Sequence, residues 1–579
     1  MLQNYLKTAF RHILKSKVNF LFKLGGLTLA LSGLLVIVLY VSYHLSFDKY
    51  HEDYENIYRV NARWMENGSL ASYAIVPTAV GPALKEAFPE IRSFARVGYS
   101  TYYLIKYKER SFRIHGFVNA DSTVFDVLTF DFIRGDRHAL DNPRSIVLTK
   151  SLALQIFGDE DPMNKTISFT DRSDQAYQVS AIIADPPAHS HLEVRALLSL
   201  HALTDGGDLP VDPWEIGIDG SGPLYVRLHE GADVQRFISK AIPLLRKKLK
   251  SGADRLERNY EIYLQPIKDI HLDPWIYTDF TKKGNITYVY VFSLLGVFLL
   301  LIAAINYVNL SIADFHQRSK EIGVRKVMGA RKRQVAFQVI VETWIICIAA
   351  SILSFAILYL FFPDVGQALE SDLRFSMLFQ PVVLSTVGLV IVFLMVISAF
   401  YPAWHLAANK PVNDMKAIGA VGRNSTGNVL LMIQFSISVI CICSTFVVGK
   451  QIHFFQTKDP GYNRENTIVL YMPDRYPPEK IPVIKDELSR VPGVDAVSYS
   501  TFRIVGGYYR DWYRVEIDGQ MKRMLLNEVF FDHDFFRTMG IEVLDGRSFD
   551  PNNAGDAHAA FIVNEAAVRE FGWKDPVGK

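Results

Sequence analysis

Leu24-Gly-Gly-Leu-Thr-Leu-Ala-Leu-Ser-Gly33-Leu-Leu-Val-Ile-Val-Leu-Tyr-Val-Ser-Tyr43 runs without a single charged side chain. About twenty such residues are what an α-helix needs to cross a hydrocarbon core. Lys7, Arg11, Lys15, Lys17 and Lys23 precede it, which gives it the outline of a secretory leader. A leader, however, has a shorter apolar core and ends in a small-residue cleavage site, and none follows Tyr43. The stretch therefore reads as a retained anchor over 24–43. Ahead of it, Leu2, Leu6, Phe10 and Ile13 recur at helical spacing opposite Lys7, Arg11 and Lys15. Residues 1–23 are thus expected to form an amphipathic helix on the inner membrane face. Within the anchor, Gly25, Gly26, Ala30 and Gly33 are small enough to let a second helix approach closely.

Further stretches of spanning length lie at 288–312, 335–362, 379–404 and 428–448. They lack the alternation of barrel strands, and in lipid only helices or closed barrels satisfy their own backbone, so each is expected to be a helix. Composition agrees: 579 residues, 49% hydrophobic, with a mean hydropathy of +0.11, describe a chain partly dissolved in a bilayer. Lysine plus arginine (62) nearly balances aspartate plus glutamate (60), which removes any argument for nucleic acid as partner. The cysteines, Cys347, Cys441 and Cys443, all fall in apolar runs, so neither a disulfide framework nor a four-ligand metal site is expected.

Charge in the short loops sets the orientation. Arg318, Lys320, Arg325, Lys326, Arg331, Lys332 and Arg333 crowd the loop at 313–334, whereas the loop before residue 379 carries Asp364, Glu370 and Asp372 against Arg374. The basic loop belongs in the cytoplasm and the acidic one outside. Lys410, Lys416 and Arg423 in the linker at 405–427 agree. Two large polar segments, 44–285 and 450–579, are then external. Strand-like runs (Tyr177 to Ile183, Leu224 to Leu228, Tyr260 to Leu264) and helix-like runs (Ser151 to Phe157, Val234 to Lys250) alternate in the first, which predicts an α+β domain.

The two external segments share an ordered pattern. Val118, Asp121, Phe125, Gly135, Leu148, Phe157, Gly158, Asp161, Pro162 and Lys165 line up with Val529, Asp532, Phe536, Gly546, Ile562, Phe571, Gly572, Asp575, Pro576 and Lys579. Each copy follows one spanning helix, so the repeated unit is a helix plus an external domain. The second copy stops at Lys579, inside its external domain, so that domain is expected to be incomplete and the chain to be a piece of a longer protein. The expected fold class is a multi-pass α-helical membrane protein with α+β extracytoplasmic domains and this internal repeat.

Catalytic signatures are missing. No Gly-x-x-x-x-Gly-Lys-Ser/Thr phosphate cradle, His-Glu-x-x-His or Gly-x-Ser-x-Gly is present, so no catalytic residue, cofactor or metal is assigned. His189 and His191 follow Asp185-Pro186-Pro187, a turn sequence, and read as loop residues rather than ligands. Glu342 lies inside a span, where a carboxylate is by default a functional candidate; it sits shallow enough to reach the interface or bond a neighbouring helix instead. The segment Glu321-Ile-Gly323-Val-Arg325-Lys326-Val-Met-Gly329-Ala330-Arg331 interleaves apolar and charged residues, which predicts a short amphipathic helix ending at Gly329. Its apolar edge suits a partner, with its charges setting register.

Lys320-Glu-Ile-Gly-Val-Arg-Lys-Val-Met-Gly-Ala-Arg331 resembles the signature after the second helix of MacB-like, FtsX-type ABC transporter permeases. Tyr401-Pro402-Ala403-Trp404 with Pro411-Val412 and Met415-Lys416 resembles the end of that family's fourth helix. Ser145-Ile-Val-Leu-Thr-Lys-Ser-Leu-Ala153, Phe157-Gly-Asp-Glu-Asp-Pro162, Asp185-Pro-Pro-Ala-His-Ser-His191 and Gln265-Pro-Ile-Lys-Asp-Ile-His-Leu272 look like its MacB-like periplasmic core domain. The whole chain resembles the duplicated members common in Bacteroidetes, without their last spans and without the ATPase domain that some members carry. The resemblance implies a bacterial inner-membrane permease subunit that relays motion from a separate cytoplasmic ABC ATPase, present in two copies, to periplasmic domains. It implies export of peptides, lipids or toxic compounds, with a periplasmic adaptor and outer-membrane channel as further partners. Glu321, Gly323, Arg325, Lys326, Gly329, Ala330 and Arg331 would form the ATPase contact, the two glycines shaping turns. An FtsX-like regulator of cell-wall hydrolases and a lipoprotein-releasing permease are alternatives. A transmembrane sensor would need a cytoplasmic output domain, which no inner loop can hold.

Overall fold

The computed structural model describes residues 17–66, 69–169, 175–200, 214, 222–248, 260–328, 332–369, 373–408, 425–470, 472, 478–502, 508–553 and 555–579. Five helices among them are long and apolar enough to cross a membrane: Lys17–Leu45, Ile286–Val327, Lys332–Leu360, Pro381–Ala408 and Ser425–Thr457. They are called the first to fifth spans below. All five lie where the apolar runs put them, because a backbone in hydrocarbon has no partner but itself.

The first span is the hub of the bundle. Leu27, Leu31, Leu35 and Leu39 lie buried on it and pack into one cluster with Ala303, Ala304 and Tyr307 of the second span, Ile346, Cys347 and Ala350 of the third, and Val383, Val387 and Leu394 of the fourth. Lipid offers no hydrophobic drive for this, so close fit has to supply it. Accordingly, a Cβ placed on Gly26 would lie 3.3 Å from Asn306 Nδ2, on Gly33 3.4 Å from Leu299 Cδ1, and on Gly296 3.2 Å from both Ile37 Cγ2 and Leu34 Cδ1. Ala30 packs against the same cluster. Gly25, expected to join them, has nothing within 4 Å and faces away from the seam. The fifth span touches the second, but none of its apolar window is buried.

Two expected boundaries move. Lys17 to Lys23 belong to the first span's continuous helix rather than to a separate surface helix, and residues 1–16 lie outside the described residues. Lys23 is buried inside the bundle with its ammonium on the Asp314 carboxylate of the second span, to which the Asn19 amide also donates. Pairing is what makes both charges tolerable there. The second span, in turn, does not stop at residue 312. It continues unbroken to Val327, 42 residues in all, so Gly323 sits within a helix and shapes no turn. One glycine costs a helix only about 1 kcal/mol, which flanking helix formers absorb.

Between the first and second spans lies an α+β domain. Strands β1 (Ile57–Glu66), β2 (Ser69–Tyr73), β3 (Ile91–Arg96), β4 (Thr101–Tyr107), β5 (Arg110–Ala120), β6 (Phe132–Arg134), β7 (Ser145–Thr149), β8 (Thr166–Phe169), β9 (Gln175–Ile183), β10 (Ala196–Ser199), β11 (Leu224–Leu228) and β12 (Glu261–Pro266) form two sheets. One runs β12-β1-β11-β3 with β2 on β1 and is covered by helix Val234–Lys248, which buries Phe237, Ala241 and Leu245. The other runs β6-β9-β7-β10-β5-β4-β8 and closes on itself through β8 and β9, leaving these strands no bare edge. Its interior is apolar: Ile105, Phe117, Leu148, Phe169 and Val179 are fully buried. Strands β1 and β12 carry the chain out of the first span and back toward the second, paired antiparallel with Tyr58 opposite Pro266.

The second domain repeats the local solutions of the first. Strands β13 (Tyr509–Ile517) and β14 (Gln520–Glu528) pair as β4 and β5 do. Ala120 and Phe531, each just before the shared aspartate, make isolated bridges to Val97 and Ser500. Asp121 accepts from the Arg96 amide at 2.8 Å and Asp532 from the Tyr499 amide at 3.2 Å. Gly135 and Gly546 both have φ of 82°, which only glycine adopts freely. Helices Lys150–Phe157 and Glu565–Phe571 are each opened by a side-chain cap and closed by Gly158 or Gly572 at positive φ.

The seam at Gly296 is testable. Gly296→Leu should separate the first and second spans and lower the thermal unfolding midpoint of the detergent-solubilised chain, whereas Gly25→Leu should leave it within a degree or so. Equal effects would contradict the packing described.

Candidate functional site

The chain leaves the first span at Leu45 and enters the second at Ile286, and what joins these ends to the α+β domain decides whether helix motion reaches it. Three segments meet there: the exit of the first span (Tyr43 to His51), the turn Asp185 to His191, and the return from His271 to Gly284. The turn is clamped to the exit by the Asp48 amide donating to the His189 carbonyl at 2.9 Å and by the Tyr43 hydroxyl donating to the Ala188 carbonyl at 3.3 Å. The return is clamped to the turn by the Lys282 amide on the His191 carbonyl, also 2.9 Å.

Asp48 is the pivot. It is fully buried, and its φ of 59° places it in the left-handed region that a short polar side chain tolerates better than most. Its Oδ1 accepts from the His191 backbone amide at 3.0 Å and from His191 Nδ1 at 2.8 Å. Because a carboxylate only accepts, Nδ1 carries the proton, and Nε2 is free to accept from the Tyr225 hydroxyl of β11 at 2.7 Å. This chain of bonds links the first span, the turn and the heart of the domain. His191, read from the sequence as a loop residue, does lie in the turn between β9 and β10, and it is completely buried there. The Asp185-Pro-Pro-Ala-His-Ser-His191 motif marked it, but its partner Asp48 lies far away in sequence and could not be seen.

A second histidine pair sits beside the first. His44 Nδ1 lies 2.8 Å from His271 Nε2, and His271 Nδ1 lies 2.9 Å from the Lys282 carbonyl oxygen. The carbonyl fixes the proton on Nδ1 of His271, so with that ring neutral Nε2 accepts and His44 donates. Phe47 stacks on the His271 ring at 3.3 Å between centroids. Gly284 lies against the pair, where a Cβ would fall 2.6 Å from His271 Nε2 and 3.0 Å from His44 Nδ1. Burial pulls His271 and His51 each down to about 4, which keeps both neutral at pH 7. His51 Nδ1 accepts from the Thr129 amide at 3.1 Å, tying the exit to the loop that follows Val127.

An ion cluster braces the return. Asp279 and Arg59 of β1 pair at 2.7 Å, both fully buried, and Lys283 reaches Asp279 at 2.5 Å. Burial would push the Asp279 carboxyl up, but the guanidinium and ammonium outweigh it and hold the carboxyl well below its usual range. Lys283 also donates to the carbonyls of Ile270 and Asp273, both at 2.9 Å, so the return is braced internally and held on β1 through Arg59.

The site residues expected from the sequence lie at the opposite end of the second span. Glu321, Gly323, Arg325 and Lys326 stand on its last turns, on the helical stretch past Asp314. Gly329, Ala330 and Arg331 lie outside the described residues. Glu342 accepts from Gln338 one turn earlier on the third span at 3.0 Å. Among the described residues no group of three or more metal-ligating side chains converges.

Residues 22–243 match the family model of the MacB-like periplasmic core domain, and residues 293–411 match that of the FtsX-like permease C-terminal region. The macrolide export ATP-binding/permease protein MacB of Aggregatibacter actinomycetemcomitans is 25% identical over 214 residues, covering 36% of this chain and 28% of that protein. The MacB of Shewanella sp. (strain ANA-3) is 28% identical over 139 residues, 23% of this chain and 20% of that protein. Among solved structures, a domain of a permease protein from Porphyromonas gingivalis is 19% identical and covers 37% of this chain and 91% of its own, with a TM-score of 0.32. The extracellular domain of the ABC-type transporter YknZ from Gram-positive bacteria is 14% identical and covers 36% of this chain and 99% of its own, with a TM-score of 0.27.

Gly284→Ala should force the histidine pair apart and destabilise the junction by about 1–3 kcal/mol, the usual cost of overpacking. Limited proteolysis should then cut within 271–285 while the closed sheet stays resistant; an unchanged digestion pattern would contradict the geometry.

Proposed function

Because this chain belongs to the MacB-like, FtsX-type permeases, we propose that it is the membrane subunit of an ABC-type exporter of the bacterial inner membrane. In this reading it relays ATP-driven motion from a separate cytoplasmic ATPase to its external domains and catalyses nothing itself. The observation that carries the proposal is the continuity of the second span. Forty-two helical residues at ~1.5 Å each give a rod of roughly 60 Å, about twice the hydrocarbon thickness. One end carries Glu321, Arg325 and Lys326, and the other enters the buried junction around His271 and Gly284.

The relay works by stiffness. A helix without a break between the two ends converts a push at Glu321 to Lys326 into displacement at Ile286, since hydrogen-bonded backbone does not shorten. The first span moves with it, held by the glycine seam at one level and by the Lys23 and Asp314 pair at another. At the far side the junction passes the displacement to β1 and β12 rather than letting a loop absorb it. Cargo of the peptide, lipid or toxic-compound class would be moved by the external domains, with an adaptor and an outer-membrane channel receiving it.

Copurification with an ABC ATPase tests the assignment; a chain that binds none under crosslinking would contradict it. Reversing charge at Arg325 and Lys326 together should abolish stimulation of that ATPase, with membrane insertion unchanged, and coupling that survives would remove these residues from the contact.

A further inference from the structure

The second external domain reaches back to the first. Arg510 on β13 donates through Nη1 to the Tyr73 hydroxyl of β2 at 3.1 Å, and its guanidinium lies over the Tyr277 ring, 5.0 Å from the centroid. We propose that this contact is a docking seat, in which Arg510 fastens the second external domain to the return segment of the first, so that both domains take their displacement from the second span. The functional meaning rests on the export reading above.

The seat is built into the first domain. Trp64 of β1 stands opposite Ala71 of β2, which puts Tyr73 diagonally beside it on the same face of the pair. The two rings stack at 3.9 Å and 3°, Tyr260 lies behind Trp64 at 6.3 Å, and Tyr277 closes the outer end 5.4 Å from Tyr73. Tyr260, Trp64 and Tyr73 are buried, whereas Tyr277 keeps 44% of its surface exposed. Backbone bonds hold Tyr277 in place: its amide donates to the Ser72 carbonyl at 2.8 Å and its carbonyl accepts from the Ala74 amide at 3.1 Å. A ring fixed in this way and open in front offers its negative face to a cation. Arginine suits the place, because a planar guanidinium lies over one ring while its fork donates to the hydroxyl of the next.

The seat stands where the second span delivers its motion. Tyr277 belongs to the return, which Asp279 holds on β1 through Arg59 and which enters the second span at Ile286. A shift of that span therefore arrives at Tyr277. The second domain needs such a tether, because its own root gives it little: the fifth span touches the second, yet none of its apolar window is buried. A cation over a ring favours the docked state by roughly two- to thirtyfold. The seat holds at that strength and still releases.

Distances between spin labels on the full chain in nanodiscs test this. The labels sit on Glu86→Cys in the first domain and Gln520→Cys in the second, both exposed positions, with Cys441→Ser and Cys443→Ser; Cys347 is buried and stays unlabelled. The docked chain should give one dominant distance. Arg510→Ala should lower the ratio of docked to open chains by about two- to thirtyfold, and Arg510→Lys should fall between. Tyr277→Ala should open the chain by itself, but added to Arg510→Ala it should open it no further, because both remove one contact. Should Tyr277→Ala disturb the return, Tyr73→Phe, which keeps the stack and loses only the hydroxyl, takes its place: added to Arg510→Ala it must have no further effect. A distance distribution that Arg510→Ala leaves unchanged, or effects that add in the double variant, would each overturn the proposal. No ATPase enters the measurement, so unchanged distances leave the export reading standing with the second domain driven by its own span, and a failed ATPase copurification leaves the distances as they are.

Discussion

A helix that crosses a bilayer can move a domain on the other side only if the join between them is stiffer than the domain's surroundings, and in this chain that join is made of buried polar bonds. Asp48 binds the turn at His191, His191 binds Tyr225 in the centre of the first sheet, and His271 binds both the first span and the return segment that leads into the second. Each bond alone contributes on the order of 1 kcal/mol net. Their force lies in being buried together, because breaking one strands a polar group without water.

The two halves of the molecule are held by different physics. In the closed sheet, apolar side chains such as Phe117, Leu148 and Val179 leave water and the hydrophobic effect does the binding. Among the spans no such drive exists, and cohesion comes from close backbone approach at Gly26, Gly33 and Gly296 and from one paired charge, Lys23 with Asp314. The junction lies at the border between these regimes, where neither lipid nor an apolar core can stabilise it. That is the physical reason it is built from histidine, carboxylate and tyrosine rather than leucine.

The repeat shows what duplication preserves. Between the two external segments the shared positions include those where the backbone demands a particular residue: Gly135 and Gly546 at the same positive φ, Asp121 and Asp532 accepting backbone amides from a neighbouring segment, and the glycine that closes each capped helix. Others are core side chains, such as the buried Phe157 and Phe571. The junction histidines are not among these aligned positions.

The spans, their order and the α+β character of the large domain were legible in the chain alone. Lipid admits few backbone solutions, and periodicity announces them locally, as Leu24 to Tyr43 and Tyr177 to Ile183 do. The repeat was legible for the same reason, since glycine at positive φ and an amide-binding aspartate leave their own residue types behind. Three things were settled only in three dimensions: that Gly25 faces away while Gly26 and Gly33 face in, that Lys23 is a buried partner of Asp314 rather than a surface charge, and that the loop residue His191 is buried on Asp48 and Tyr225. Each depends on which distant residue arrives opposite it, and a sequence records what a side chain can bond to but not what the fold brings within 3 Å.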